Sequence, residues 1–132
     1  MYIVNGAVLE RWSSLSDEQI VAQVLAGQTA LFELLMRRHN DRLYHAARAI
    51  LRDDREAEDA MQRTYLKAYA HLRQFDGHAR FATWLAGIAM DEMLARGRRR
   101  TTAGVPAAAA DAFAFRQTGC ERVVAAVLKR LE

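Results

Sequence analysis

An all-α fold follows from three features of this chain of 132 residues. Proline occurs once, at Pro106. Alternating apolar and polar runs bounded by turn residues, the mark of strands, are absent, and apolar side chains recur at helical spacing over long stretches. A chain of this length supports one hydrophobic core with appended pieces. The prediction is a compact helical bundle of about four helices over residues 15–100. An N-terminal extension (1–14) precedes it, and a linker (101–119) and a short C-terminal helix (120–132) follow.

The first helix opens on Ser16-Asp17-Glu18-Gln19, a capping box in which hydroxyl and amide satisfy each other's backbone donors, and Gly27 fits as its stop. The second runs from about Thr29 to Leu51. Its apolar stripe is Leu31, Leu34, Leu35, Leu43, Ala46, Ala47, Ile50 and Leu51, with Arg37, Arg38, Arg42, Arg48 and Arg52 outside it. Asp53-Asp54 breaks and recaps the chain. The third helix, about Asp54 to Arg73, resolves into two faces at about 100° per residue. Ala57, Met61, Thr64, Tyr65, Ala68 and Leu72 form the core stripe. Beside it lies a mixed band of Glu58, Asp59, Gln62, Leu66 and Tyr69. Leu66 and Tyr69 in that band serve either a neighbouring helix or a docking protein. The fourth helix, about Phe81 to Arg99, buries Phe81, Trp84, Leu85 and Ile88 and ends in arginines. Thr101 to Thr118 is rich in Ala, Gly and Thr and reads as a linker. Glu121 to Leu131 is amphipathic through Val124, Val127, Leu128 and Leu131, with no obvious surface for that stripe to meet. No internal repeat is visible.

Charge is sorted along the chain more sharply than the net +3 implies. Asp53 to Gln62 holds five acids and one base, net −4, whereas Arg96, Arg98, Arg99 and Arg100 contribute +4 within five residues. One face repels phosphate and the other attracts it, which fits two kinds of partner. Phe75 to Arg100 sets a glycine-containing polar turn flanked by aromatics ahead of the arginine-tipped helix. Unstacked bases need an apolar wall and a few polar groups for their edges, and the strand they hang from needs positive charge nearby. Phe75 is expected as a core plug, His78 as exposed on the turn.

Several function classes are excluded. Cys120 is the only cysteine, so an internal disulfide and a thiolate cage are ruled out and a reducing, cytoplasmic setting is expected. His39, His45, His71 and His78 fall into no metal-ligand spacing, so no metal and no cofactor is expected. No apolar run approaches membrane-spanning length, and the N-terminus lacks the pattern of a secretion signal. Neither a phosphate-binding glycine loop, nor a nucleophile elbow, nor H-E-x-x-H is present. Glu58 and Asp59 sit on a surface helix without an apolar cleft, which argues against an enzyme.

Four motifs stand in order: RLYHAARAIL up to Leu51, DREAEDAMQRTYLKAY from Asp54 to Tyr69, F-x-G-x-A-R-F-x-T-W-L-x-x-I-A from Phe75 to Ala89, and the arginines Arg96 to Arg100. Together Leu15 to Arg100 resembles the second conserved region of the extracytoplasmic-function (ECF) sigma factors of bacterial RNA polymerase. The resemblance implies a bacterial transcription initiation factor with two main partners. One is core RNA polymerase, gripped at the clamp helices of its largest subunit by Glu58, Asp59 and Gln62 with Arg55, Leu66 and Tyr69. The other is the non-template strand of the promoter minus-ten element. Its bases would meet Asp76, Gly77, His78, Ala79 and Arg80, framed by Phe75 and Phe81. Met90, Asp91, Arg96, Arg98, Arg99 and Arg100 would meet bases and backbone. An anti-sigma factor is a further implied partner.

The chain also departs from that family's pattern. Asp91 stands where an Asn is usual, and a carboxylate only accepts hydrogen bonds and repels phosphate. Gly97 replaces a large aliphatic residue and is expected to loosen the helix by about 1 kcal/mol relative to Ala. Arg63 stands where an acid is common. Family members carry a second helical domain that reads the minus-thirty-five element, and ERVVAAVLKRLE resembles its start. The sequence stops there, so weak, incomplete promoter binding is expected of this chain alone. The competing reading is a sigma-like interaction module that binds polymerase or an anti-sigma factor without opening promoters.

Overall fold

Local chemistry sets both ends of the first helix. A computed structural model describes residues 12–100 and 119–131, with Arg99 and Arg100 described by backbone alone. Helix α1 spans Asp17–Leu25, and the capping box is present: the Gln19 N–H donates to Ser16 Oγ at 3.1 Å and the Ser16 N–H to Gln19 Oε1 at 2.8 Å. It stops at Gly27, whose φ of +115° lets Gln28 N–H reach back to the Gln23 carbonyl at 2.9 Å while Gly27 N–H meets that of Val24. Those paired bonds close off carbonyls that the last turn leaves without partners.

A 3₁₀ turn over Thr29–Leu31 leads into α2, Phe32–Leu51, so the α-helix starts three residues after the expected Thr29. Arg52 takes the left-handed conformation (φ 58°) and Asp53 caps α3, Asp54–Ala70, by accepting from the Arg55 N–H at 3.3 Å. α3 ends earlier than the expected Arg73. His71 leaves helical geometry and a 3₁₀ turn over Leu72–Gln74 turns Leu72 into the core at 2% exposure. α4 covers Phe81–Arg100 and α5 covers Cys120–Leu131. Among the described residues there is no strand, and no helix is long and apolar enough to cross a membrane.

The bundle closes around Ile20, Phe32, Leu35, Met36, Met61, Tyr65, Phe81, Leu85 and Met93. α1 is tied to α2 by Asp17, which meets His39 Nε2 at 2.8 Å and Arg38 Nη1 at 3.1 Å. α5 meets a surface that was not obvious from the sequence. Val123, Val124, Val127 and Leu128 are buried, and the helix packs on α2 and α3. Val123 joins the stripe, while Leu131 stays half-buried at its end. Burying four aliphatic side chains of one short helix supplies the driving force, at roughly 1.5–3 kcal/mol for each side chain fully taken from water. The linker expected over 101–119 lies outside the described residues except Gly119, as does most of the N-terminal extension.

Candidate functional site

Phe75 anchors a turn whose other residues face solvent. Its ring meets Phe81 edge-on with centroids 5.8 Å apart and Trp84 at 5.5 Å, so it is half-buried, as a core plug should be. Asp76, Gly77, His78, Ala79 and Arg80 are all exposed. The turn nevertheless has internal structure. One Asp76 oxygen accepts from the His78 backbone N–H at 2.9 Å and the other lies 2.8 Å from His78 Nδ1. Gly77 between them has φ +81°, a conformation that side chains rarely adopt. The His78 backbone and side-chain hydrogen bonds hold the Asp76 carboxyl below its usual range, and the bond to Asp76 raises the His78 imidazole. At the far end of the turn, the Phe81 N–H that opens α4 donates to Glu18 Oε2 of α1 at 2.7 Å. This cap crosses 63 residues and fixes where the turn ends.

Next to the turn, Lys67, His71, Gln74, Trp84, Ile88 and Asp91 line a cavity of about 280 Å³ between α3 and α4. An indole wall with an ammonium donor and a carboxylate acceptor at its rim can take a planar heterocycle by its face and read its edge. Trp84 therefore does more than fill the core: it is half-buried and shows a surface to this cavity. Met90 and Leu94 stand exposed on α4, at 42% and 44%, and Asp91 and Arg98 are exposed near them.

The arginines at the end of α4 are not equivalent. Arg96 donates from Nε to Glu92 at 3.0 Å and reaches Glu56 of α3 at 3.4 Å, and only 12% of its side chain is exposed. Glu92 also takes Lys67 Nζ at 2.6 Å. Burial pushes the Glu92 carboxyl up, but the bonds from Lys67 and Arg96 outweigh it and hold the group below its ordinary value. Arg96 thus braces α4 against α3. The side chains of Arg99 and Arg100 lie outside the described residues.

The acidic start of α3 is largely compensated within the fold. Asp53 caps the helix, Asp54 lies 3.2 Å from Arg48 Nε, Glu56 meets Arg96, and Glu58 accepts two bonds from Arg122 of α5 at 2.6 and 3.1 Å. Asp59 makes no ion pair among the described residues. Asp53, Asp54, Arg55, Glu58, Asp59 and Arg122 surround an open cleft of about 660 Å³. Gln62, Leu66 and Tyr69 are half-buried along the same helix, with Tyr69 edge-on to Phe32 at 5.1 Å. The neighbouring helix that such a mixed band could serve is present, as α5.

The structure thus sets the turn at the head of α4, exposes Met90, Asp91 and Arg98 farther along that helix, and carries Glu58, Asp59 and Gln62 on α3. Reading the sequence missed Lys67, His71 and Gln74 as cavity walls, and Arg122 as a partner of Glu58. Spacing on α3 puts Lys67 four residues after Arg63 on a polar face, a signal indistinguishable from simple solvation.

Residues 35–102 match the family described as Sigma-70 region 2. The RNA polymerase sigma-H factor of Pseudomonas aeruginosa is 34% identical over 101 residues, 74% of this chain and 52% of the relative. The ECF RNA polymerase sigma factor SigM of Mycobacterium tuberculosis is 34% identical over 84 residues, 64% of this chain and 43% of the relative. The ECF RNA polymerase sigma-E factor of Haemophilus influenzae is 32% identical over 90 residues, 64% and 47% of the two chains. The chain spans about half the length of the curated relatives it matches. No solved structure matches it. Since the matched region takes in more than half of the residues, including all of α3, the 75–80 turn and α4, the chain belongs to the sigma-70 region 2 family, in its extracytoplasmic-function branch.

Proposed function

We propose that residues 15–100 act as the region-two domain of a sigma factor in transcription initiation in the bacterial cytoplasm. α3 docks on the clamp helices of the largest polymerase subunit through Arg55, Glu58, Asp59, Gln62, Leu66 and Tyr69. The turn Asp76 to Arg80, with Met90, Asp91 and Arg98, holds the non-template strand of the minus-ten element. Residues 101–119 serve as a linker, and 120–132 as the start of the second sigma domain.

One observation carries the DNA assignment: an exposed turn, shaped by Asp76 and Gly77 and pinned by Phe75 and Glu18, opens beside a cavity walled by Trp84. A base leaving its stack would exchange one planar neighbour for another there. Fluorescence anisotropy with single-stranded minus-ten oligonucleotides tests it. Affinity is expected to fall with salt at a log–log slope of about 0.7 per phosphate contacted. Arg80→Ala and Arg98→Ala should each lower that slope by about 0.7 for every sequence. His78→Ala and Asp91→Asn should instead change which base is preferred. If all four leave binding untouched, the strand does not lie on this surface.

The commitment of Arg96 to Glu92 and Glu56 and the acceptor-only Asp91 favour a second reading, an interaction module for polymerase or an anti-sigma factor without promoter opening. Under that reading polymerase is bound and the oligonucleotides are not.

A further inference from the structure

Glu58, Gln62, Tyr65 and Tyr69 recur at intervals of three and four on α3, which gathers them on one flank about 60° wide. α5 meets α3 at the Glu58 end of that flank and is linked to Tyr65 through Asn40. Arg122 clasps Glu58 through two nitrogens and leaves its side chain 13% exposed. Cys120 Sγ accepts from Asn40 Nδ2 at 2.9 Å, and the same Asn40 accepts the Tyr65 hydroxyl. On the α2 side, Glu121 takes both terminal nitrogens of Arg37, at 2.7 and 3.1 Å. The aliphatic stripe of α5, which follows these fastenings along the helix, is buried.

We infer that α5 and core RNA polymerase compete for the Glu58 end of this flank, so that seated α5 masks that end of the docking surface and lifts away when polymerase binds. The inference rests on the docking role proposed for α3. Arg122 spans both Glu58 oxygens and leaves the side chain 13% exposed, so a partner's basic group gains full access to them only when Arg122 moves aside. α5 also displays what the seat accepts: a helix with an acid and a base in its first turn, then aliphatic side chains at i, i+1, i+4 and i+5. A displacing partner is accordingly a helical surface that presents a basic side chain to Glu58 beside an apolar strip. The fastenings suit exchange, because Arg122 and Glu121 keep 57% and 60% of their side chains in solvent, where salt weakens such pairs.

Hydrogen exchange on the full chain, with and without saturating core RNA polymerase, tests this without any substitution. On binding, amides 122–128 are expected to lose protection by about tenfold or more while amides 58–69 gain it. Arg122→Glu, which sets a like charge against Glu58, should tighten polymerase binding by about two- to fivefold. Asp59→Ala should weaken it with α5 seated or released. Protection gained at 58–69 with 122–128 still protected overturns the inference and leaves the docking role standing. No gain at 58–69, with Asp59→Ala neutral, removes the docking role and the inference with it.

Discussion

Asp76 draws two groups of His78 onto one carboxylate, in a turn fully open to water. The sign of its pH dependence follows from the two displaced pKa values. The contribution of His78 is complete below its unfolded pKa and is lost as pH rises through its raised folded value. That of Asp76 is present above its unfolded pKa and is lost as pH falls through its lowered folded value. The turn is tied most firmly between those limits, from weakly acidic conditions to neutrality. A proton NMR titration is expected to give His78 a midpoint above the ordinary 6.5, moving back towards it in Asp76→Asn and in high salt. A midpoint at or below 6.5 in the parent chain would show the pair is not formed in solution. Sequence placed His78 on an exposed turn, but the carboxylate that orients it was hidden, because an Asp two residues away is compatible with many loop shapes.

Helix α4 passes through Gly97 without a break. A β-carbon there would lie 3.7 Å from Ile50 Cγ2 and 3.9 Å from Leu51 Cδ2, ordinary van der Waals contact with the end of α2. Gly97→Ala should therefore raise stability by about 0.5–1 kcal/mol, read as an increased thermal midpoint. A lowered midpoint would mean that the two helices approach more closely than these distances. Legibility at this scale tracks the range of the forces. Ser16, Gly27 and Asp53 mark their helix ends in sequence because caps act within a few residues. The 3₁₀ turn at Leu72 goes with the burial of that side chain and leaves no local mark. Arg96 reads as a phosphate ligand from its neighbours, whereas its partner Glu56 stands 40 residues away.

Across the whole molecule, the bond from Phe81 N–H to Glu18 joins the first helix to the start of the fourth. Glu18→Ala leaves that amide without its cap and should cost about 0.5–2 kcal/mol in denaturant unfolding. An unchanged midpoint would assign the positioning of the turn to the Phe75 ring alone. The four-helix plan was legible because apolar side chains recur at helical spacing between recognisable stops. The seat of α5 was not, since an amphipathic segment announces that it needs a surface but not which one. At that seat, Asn40 passes a chain of hydrogen bonds from the Tyr65 hydroxyl to the Cys120 sulfur. When α5 departs, the amide must find water in place of sulfur, so the two arrangements differ in hydration as well as in contacts. Solutes excluded from protein surfaces, such as the osmolytes that bacteria accumulate in concentrated media, would then bias this chain towards its closed form with no ligand involved.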